Sequence, residues 1–169
     1  MRRGVWLIIL FLLVAGGLVA ARIFSKPDEE QMLANFRRNK NAFLQLRNIL
    51  IEDSNLERLA DWGVELSGSI GKIVPPSPQF SEVRYQQYLK LLEEAHGVAV
   101  YRLRSPDPSL CVLIWASGWA GDAQHASICW AEVAAASANT HKSTDPASRR
   151  HLAVIKPIEE NWYLTRDYQ

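Results

Sequence analysis

The sequence predicts an α+β fold: an N-terminal transmembrane helix, then two helices packed on a small antiparallel sheet. Three observations carry this. Residues 5–21 form an uncharged apolar run, two stretches before residue 97 place apolar residues at helical spacing, and short β-type runs broken by turn residues fill the C-terminal half. Helices followed by antiparallel strands bury their apolar surfaces most simply as two layers.

The run from Val5 to Ala21 comes first. At about 1.5 Å per residue it reaches the lower edge of what crosses roughly 30 Å of hydrocarbon. Arg2 and Arg3 favour a cytoplasmic N-terminus, although Arg22 and Lys26 soften that bias. The expectation is a single-pass inner-membrane protein with its C-terminal domain in the periplasm. Val19 and Ala21 also suit a cleaved signal peptide, which would leave a soluble periplasmic domain. Either way, residues 1–24 are set apart as signal anchor or signal peptide. Residues 25–169 are enough for one domain with a real core.

Asp28 or Ser25 can cap the next element, with Glu29 and Glu30 in its first turn. Leu33, Phe36, Phe43, Leu46 and Leu50 then recur at helical intervals, predicting one amphipathic helix over Met32 to Ile51. A short strand is expected at Leu56 to Ala60, after which Gly63, Gly68 and Gly71 interrupt any long element. Pro75, Pro76 and Pro78 make a stiff bend. Ser81 to Glu94 reads as the second helix, with Val83, Gln87 and Leu91 on one face, Tyr85, Tyr88, Leu89 and Leu92 widening the apolar surface, and a glycine cap at His96-Gly97.

Strands are expected at Val98 to Arg104, Leu110 to Ser117 and Ser127 to Ala135. His151 to Ile158 and Trp162 to Tyr168 form a closing hairpin around Glu159-Glu160-Asn161, completing an antiparallel meander. Alanines at 134–138 fit a strand end or a short helix, and Asn139 to Arg150 has the composition of a polar loop.

The chain carries 19 Lys and Arg against 18 Asp and Glu. That near-neutral balance indicates no nucleic-acid partner. Its two cysteines, Cys111 and Cys129, lie in separate strand runs; they either pair across a hairpin or pack as two buried thiols.

Catalytic patterns are absent from the sequence. It holds no GxSxG, HExxH, GxxxxGK[ST] or GxGxxG, so neither a nucleophile nor a cofactor is inferred. The loosest metal grouping, His125 with Cys129, Asp122 and His141, lacks ligand spacing, and no metal site is assigned. Asp122 and Glu132 form an equally loose carboxylate pair.

Aromatic residues are the better candidates for recognition. Trp115, Trp130 and Trp162 fall in or beside strands, where packing explains them. Trp119 lies between Gly118 and Gly121 and is followed by Asp122 and His125, which suits either a loop lid over the sheet or an aromatic anchor for a partner. Tyr163 and Arg166 supply a polar rim if the last strand is exposed. Trp119, Asp122, His125, Tyr163 and Arg166 are thus the candidate partner-binding residues.

The run 5–21, the helix Phe36-Arg37-Arg38-Asn39-Lys40-Asn41-Ala42-Phe43, the segment from Tyr88 to Val98 and the ending from Ile158 to Leu164 together resemble small membrane-anchored periplasmic immunity proteins of Gram-negative bacteria. The resemblance is architectural. It implies a protein-binding domain that acts as a stoichiometric inhibitor of a secreted toxin or envelope enzyme, anchored to the inner membrane through residues 5–21. A scaffolding component of a cell-envelope complex and an envelope hydrolase are the alternatives.

Overall fold

A computed structural model describes residues 27–103, 109–117, 124–131 and 152–167. Among the described residues three helices, α1 (Glu29–Arg38), α2 (Lys40–Glu52) and α3 (Glu82–Glu94), accompany seven strands. The strands are β1 (Leu56–Ala60), β2 (Gly63–Leu66), β3 (Ala99–Leu103), β4 (Ser109–Ser117), β5 (Gln124–Ala131), β6 (Leu152–Glu159) and β7 (Trp162–Asp167). All pairings are antiparallel, in the order β2-β1-β3-β4-β5-β7-β6.

The fold is α+β, with corrections to its parts. Among the described residues three helices stand where two were expected, because the single helix read over Met32 to Ile51 breaks at Asn39, which adopts φ −110° and ψ 23°. Phe36 and Phe43, seven residues apart, straddle that break and still pack edge-on at 5.1 Å, which is why the spacing looked continuous. The sheet has seven strands, larger than expected. It is also not a meander, since β7 lies between β5 and β6.

The membrane expectation is overturned. Among the described residues no helix is long and apolar enough to cross a membrane. The longest, α2 and α3, have 13 residues and amphipathic faces, against roughly 20 apolar residues needed for a span. The transmembrane helix, the inner-membrane contact and the single-pass placement with a periplasmic domain are withdrawn accordingly. The run 5–21 itself lies outside the described residues, as do residues 132–150.

Side chains cap the starts of α1 and α3, whereas Asn39 before α2 makes no side-chain cap. Asp28 and Gln31 form a reciprocal capping box on α1, and the Ser81 hydroxyl accepts the Arg84 N–H at the start of α3. Met32, Phe36, Phe43, Leu46 and Leu50 from α1 and α2 meet Tyr88, Leu91 and Leu92 from α3 over one face of the sheet. That face presents the in-register row Val64, Leu59, Val100, Val112, Ile128 and Leu164. Of the apolar surface expected for α3, Tyr85, Tyr88, Leu91 and Leu92 are buried, whereas Val83 is 83% exposed. Arg102 ties α2 to the sheet by donating to the Leu50 carbonyl at 2.5 Å.

The second face of the sheet centres on Cys111 and Cys129, which are directly opposite in register and joined as a disulfide. Hydroxyl groups surround them. Tyr101 donates to Ser127 at 2.9 Å and Tyr163 to Ser109 at 2.5 Å, while Thr165 Oγ1 lies 3.8 Å from the Cys129 sulfur. Buried Ser109, Ser127 and Thr165 are thereby matched with polar partners, as burial of a hydroxyl requires.

Candidate functional site

The register sorts the loops and strand ends into two groups. Ala60, Ala99, Leu113, Ser127, Thr165 and Val154 form one row across the sheet. Beyond that row, at one end of the sheet, lie the β1–β2 turn, the α3–β3 junction and the extended ends of β4, β5 and β7. This end collects exposed apolar side chains and, among the described residues, one buried guanidinium nitrogen without a hydrogen-bond partner.

Trp62 stands at the tip of the β1–β2 turn and is 39% exposed. Its mount is rigid. The Tyr85 hydroxyl lies 2.9 and 2.8 Å from the carbonyls of Ala60 and Asp61, sharing its proton between them. Burial pushes the Tyr85 phenol up, aided by the negative charges of Asp61 and Glu82, so it remains a donor. After Trp62 the chain passes through Gly63 at φ 135°, where a Cβ would lie 2.6 Å from the Ile73 carbonyl oxygen. Only glycine fits that approach. Val64 and Ile73 exchange two backbone hydrogen bonds at 2.8 and 2.7 Å, laying 72–74 along the sheet edge.

That edge segment completes the apolar surface. Lys72 Nζ lies 5.8 Å from the Trp62 ring centroid, a cation–π contact. Val74, next to Gly63 by the Val64–Ile73 register, is 65% exposed. Val98 falls opposite Asp61 and is 49% exposed; its N–H donates to the Leu113 carbonyl at 2.7 Å.

Arg166 lies at the same end, four strands from β1, or about 19 Å at about 4.8 Å per strand. It follows Leu164 on the helix side of β7, paired in register with Ala126 and Ala153. The residue is half-buried, and its Nε is buried with no hydrogen-bond partner among the described residues.

The candidates named from sequence do not form one constellation. His125 shares this end with Arg166 but falls on the opposite face, in register with Ala116 and Asp167. Tyr163 is buried nearer the other end, where its hydroxyl holds Ser109. Trp119 and Asp122 lie outside the described residues. Of the loose metal grouping, Cys129 is bonded to Cys111 and the side chains of Asp122 and His141 lie outside the described residues. Among the described residues no three His, Cys, Asp or Glu side chains converge on a metal position.

Trp62 and Val98 were missed. The signal for Trp62 was present: Asp61-Trp62 separates two short runs, Leu56–Ala60 and Gly63–Leu66, by two residues, the spacing of a tight hairpin whose tip faces solvent. Comparison of the chain with protein-family models, curated proteins and solved structures finds no match, so these residues carry the functional reading by themselves.

Proposed function

We propose that the protein is a protein-binding domain that works by stoichiometric contact, and that the end of the sheet around Trp62 is the contact surface. The observation that carries this reading is Trp62 itself, an indole held out on a braced turn and flanked by exposed Val74 and Val98. Tryptophan truncation at interfaces is among the most costly, and a rigid aromatic loses little conformational freedom on binding. A contact of about 800 Å² per partner is wide enough to take in both Trp62 and Arg166. Inhibition of a bound enzyme is the most concrete form of this activity, following the likeness to immunity proteins.

The test is site-specific photocrosslinking in cells that make the protein. A photoreactive residue at position 62, 74 or 98 is expected to give a discrete adduct that unlabelled protein competes away. The same group at exposed Gln86 on α3 serves as the control. Adducts at Gln86 alone, or none that saturate, sink the proposal.

A further inference from the structure

We infer that the backbone of Lys72 and Val74 is a docking edge for an extended segment of the partner, one that carries an apolar residue and, two positions on, an acidic one. This deepens the protein-binding reading and rests on it for the source of the segment. Ile73 exchanges both of its backbone hydrogen bonds with Val64. In an antiparallel pair the residues on either side then turn their N–H and C=O groups away from the neighbouring strand, so those of Lys72 and Val74 face outward from the sheet. Neither residue makes a backbone hydrogen bond among the described residues. Both are exposed, Val74 to 65%, which leaves these groups open to another chain.

The two edges of the sheet differ. β6 is interrupted by register shifts at Val154/Lys156 and Pro157/Glu159, and Pro157 has no N–H to offer, features that blunt an edge. Beside β2 the prolines come only after the segment, at Pro75 and Pro76, and end the edge at Val74. Lys72 and Val74 together present two N–H and two C=O groups. That is too short to template open-ended stacking and enough to fix one register.

The side chains name the occupant. Ile73 packs against the core, so Lys72 and Val74 point to the other face. Residues of an added strand that lie opposite them share that face, where pairs of opposite charge and pairs of apolar groups are favourable. Lys72 Nζ rests over the Trp62 ring with no carboxylate in salt-bridge range among the described residues. An acidic residue opposite Lys72 and an apolar one opposite Val74 complete both pairs, and an antiparallel segment carries them in the order Val-X-Glu. Such a strand passes beside Trp62, so the aromatic anchor and the edge hold one bound segment.

The test is an NMR titration of the full-length chain with the peptide acetyl-Thr-Val-Thr-Glu-Thr-amide and its Lys-for-Glu counterpart. The Glu peptide is expected to shift the Lys72 and Val74 N–H resonances downfield and saturably, with a Kd roughly fivefold below that of the Lys peptide. V74P deletes one outward N–H and leaves the Ile73–Val64 bonds in place, so it is expected to weaken binding about fivefold or more, whereas V74T keeps the N–H and binds. No saturable shift at these two amides, equal binding of the Lys peptide, or undiminished binding by V74P overturns the inference. Shifts at the same amides that grow with protein concentration in the absence of peptide assign the edge to a second copy of this chain and also overturn it. Crosslinking at Trp62 that persists when the peptide fails leaves the contact surface standing, so the two failures are separately visible.

Discussion

The Tyr88 hydroxyl donates to Asp53 Oδ2 at 2.9 Å, and the same carboxylate oxygen receives Arg84 Nε at 2.8 Å. Asp53 is the C-cap of α2, while Tyr88 and Arg84 belong to α3, so one oxygen clamps the two helices. The hydrogen bond from Arg84 to Asp53 holds the guanidinium above its ordinary range against the opposing effect of burial. Burial pushes the wholly buried Tyr88 phenol well up, and the negative charge of Asp53 adds to this.

Alkaline stability reports on that phenol. The folded protein keeps the Tyr88 proton above pH 10, where a tyrosine of the unfolded chain loses it. Below pH 10 the contribution is fully present. As pH rises beyond 10 the folded state holds more protons than the unfolded state, and stability falls by up to about 1.4 kcal/mol per pH unit from this group. Urea unfolding at pH 8, 10 and 11 is expected to show that decline, and Y88F is expected to flatten it while costing about 1–2 kcal/mol at pH 8.

The end of α3 predicts opposite outcomes for adjacent residues. His96 adopts φ 50° and carries the left-handed turn, while the Gly97 N–H closes on the Leu92 carbonyl at 2.8 Å. A Cβ on Gly97 would lie 2.7 Å from Val112 Cγ1 and 3.0 Å from Leu92 Cδ2. H96G is expected to stabilise the domain by about 0.5–1 kcal/mol. G97A is expected to cost about 1–3 kcal/mol through overpacking. Thermal unfolding of the two variants gives both signs.

The disulfide spans 18 residues of sequence. Closing a loop of that length removes about 3 kcal/mol of unfolded-chain entropy in the simplest treatment. The double variant C111A/C129A is expected to lose about that much stability, and dithiothreitol is expected to lower the melting temperature of the wild type but not of the variant.

Trp62 separates binding from folding. Its ring is partly exposed and its turn is braced through backbone carbonyls, so W62A is expected to change stability by less than about 1 kcal/mol. If the indole anchors a partner, the same change weakens binding by about 2 kcal/mol or more, some 30-fold in Kd. Calorimetry with a partner identified by crosslinking checks both numbers.

Local patterns carried much of this fold, and their limits are physical. The α3 boundaries and the strand Leu56–Ala60 follow from runs bounded by caps and turns. Asn39 escaped notice because apolar spacing from Phe36 to Phe43 is continuous whether or not the backbone between them stays helical. β2 was hidden by Gly63, which reads as an interruption and whose role becomes visible only once Ile73 lies against it. The position of β7 between β5 and β6 depends on long-range pairing that no window of sequence records. Arg166 reads as an ordinary rim residue until the register places two alanines beside it.

That strand order also dictates a sequence of assembly. β6 precedes β7 along the chain, yet β7 is the strand through which it joins the sheet, and β7 is also what closes the open edge of β5. A nascent chain that has emerged only through residue 159 therefore carries two unsatisfied strand edges at once, and pairing them with each other produces the wrong neighbour. The order favours β6 and β7 folding first as a hairpin that docks as a unit, leaving a brief interval in which chaperone capture, rather than final stability, governs the yield of folded protein.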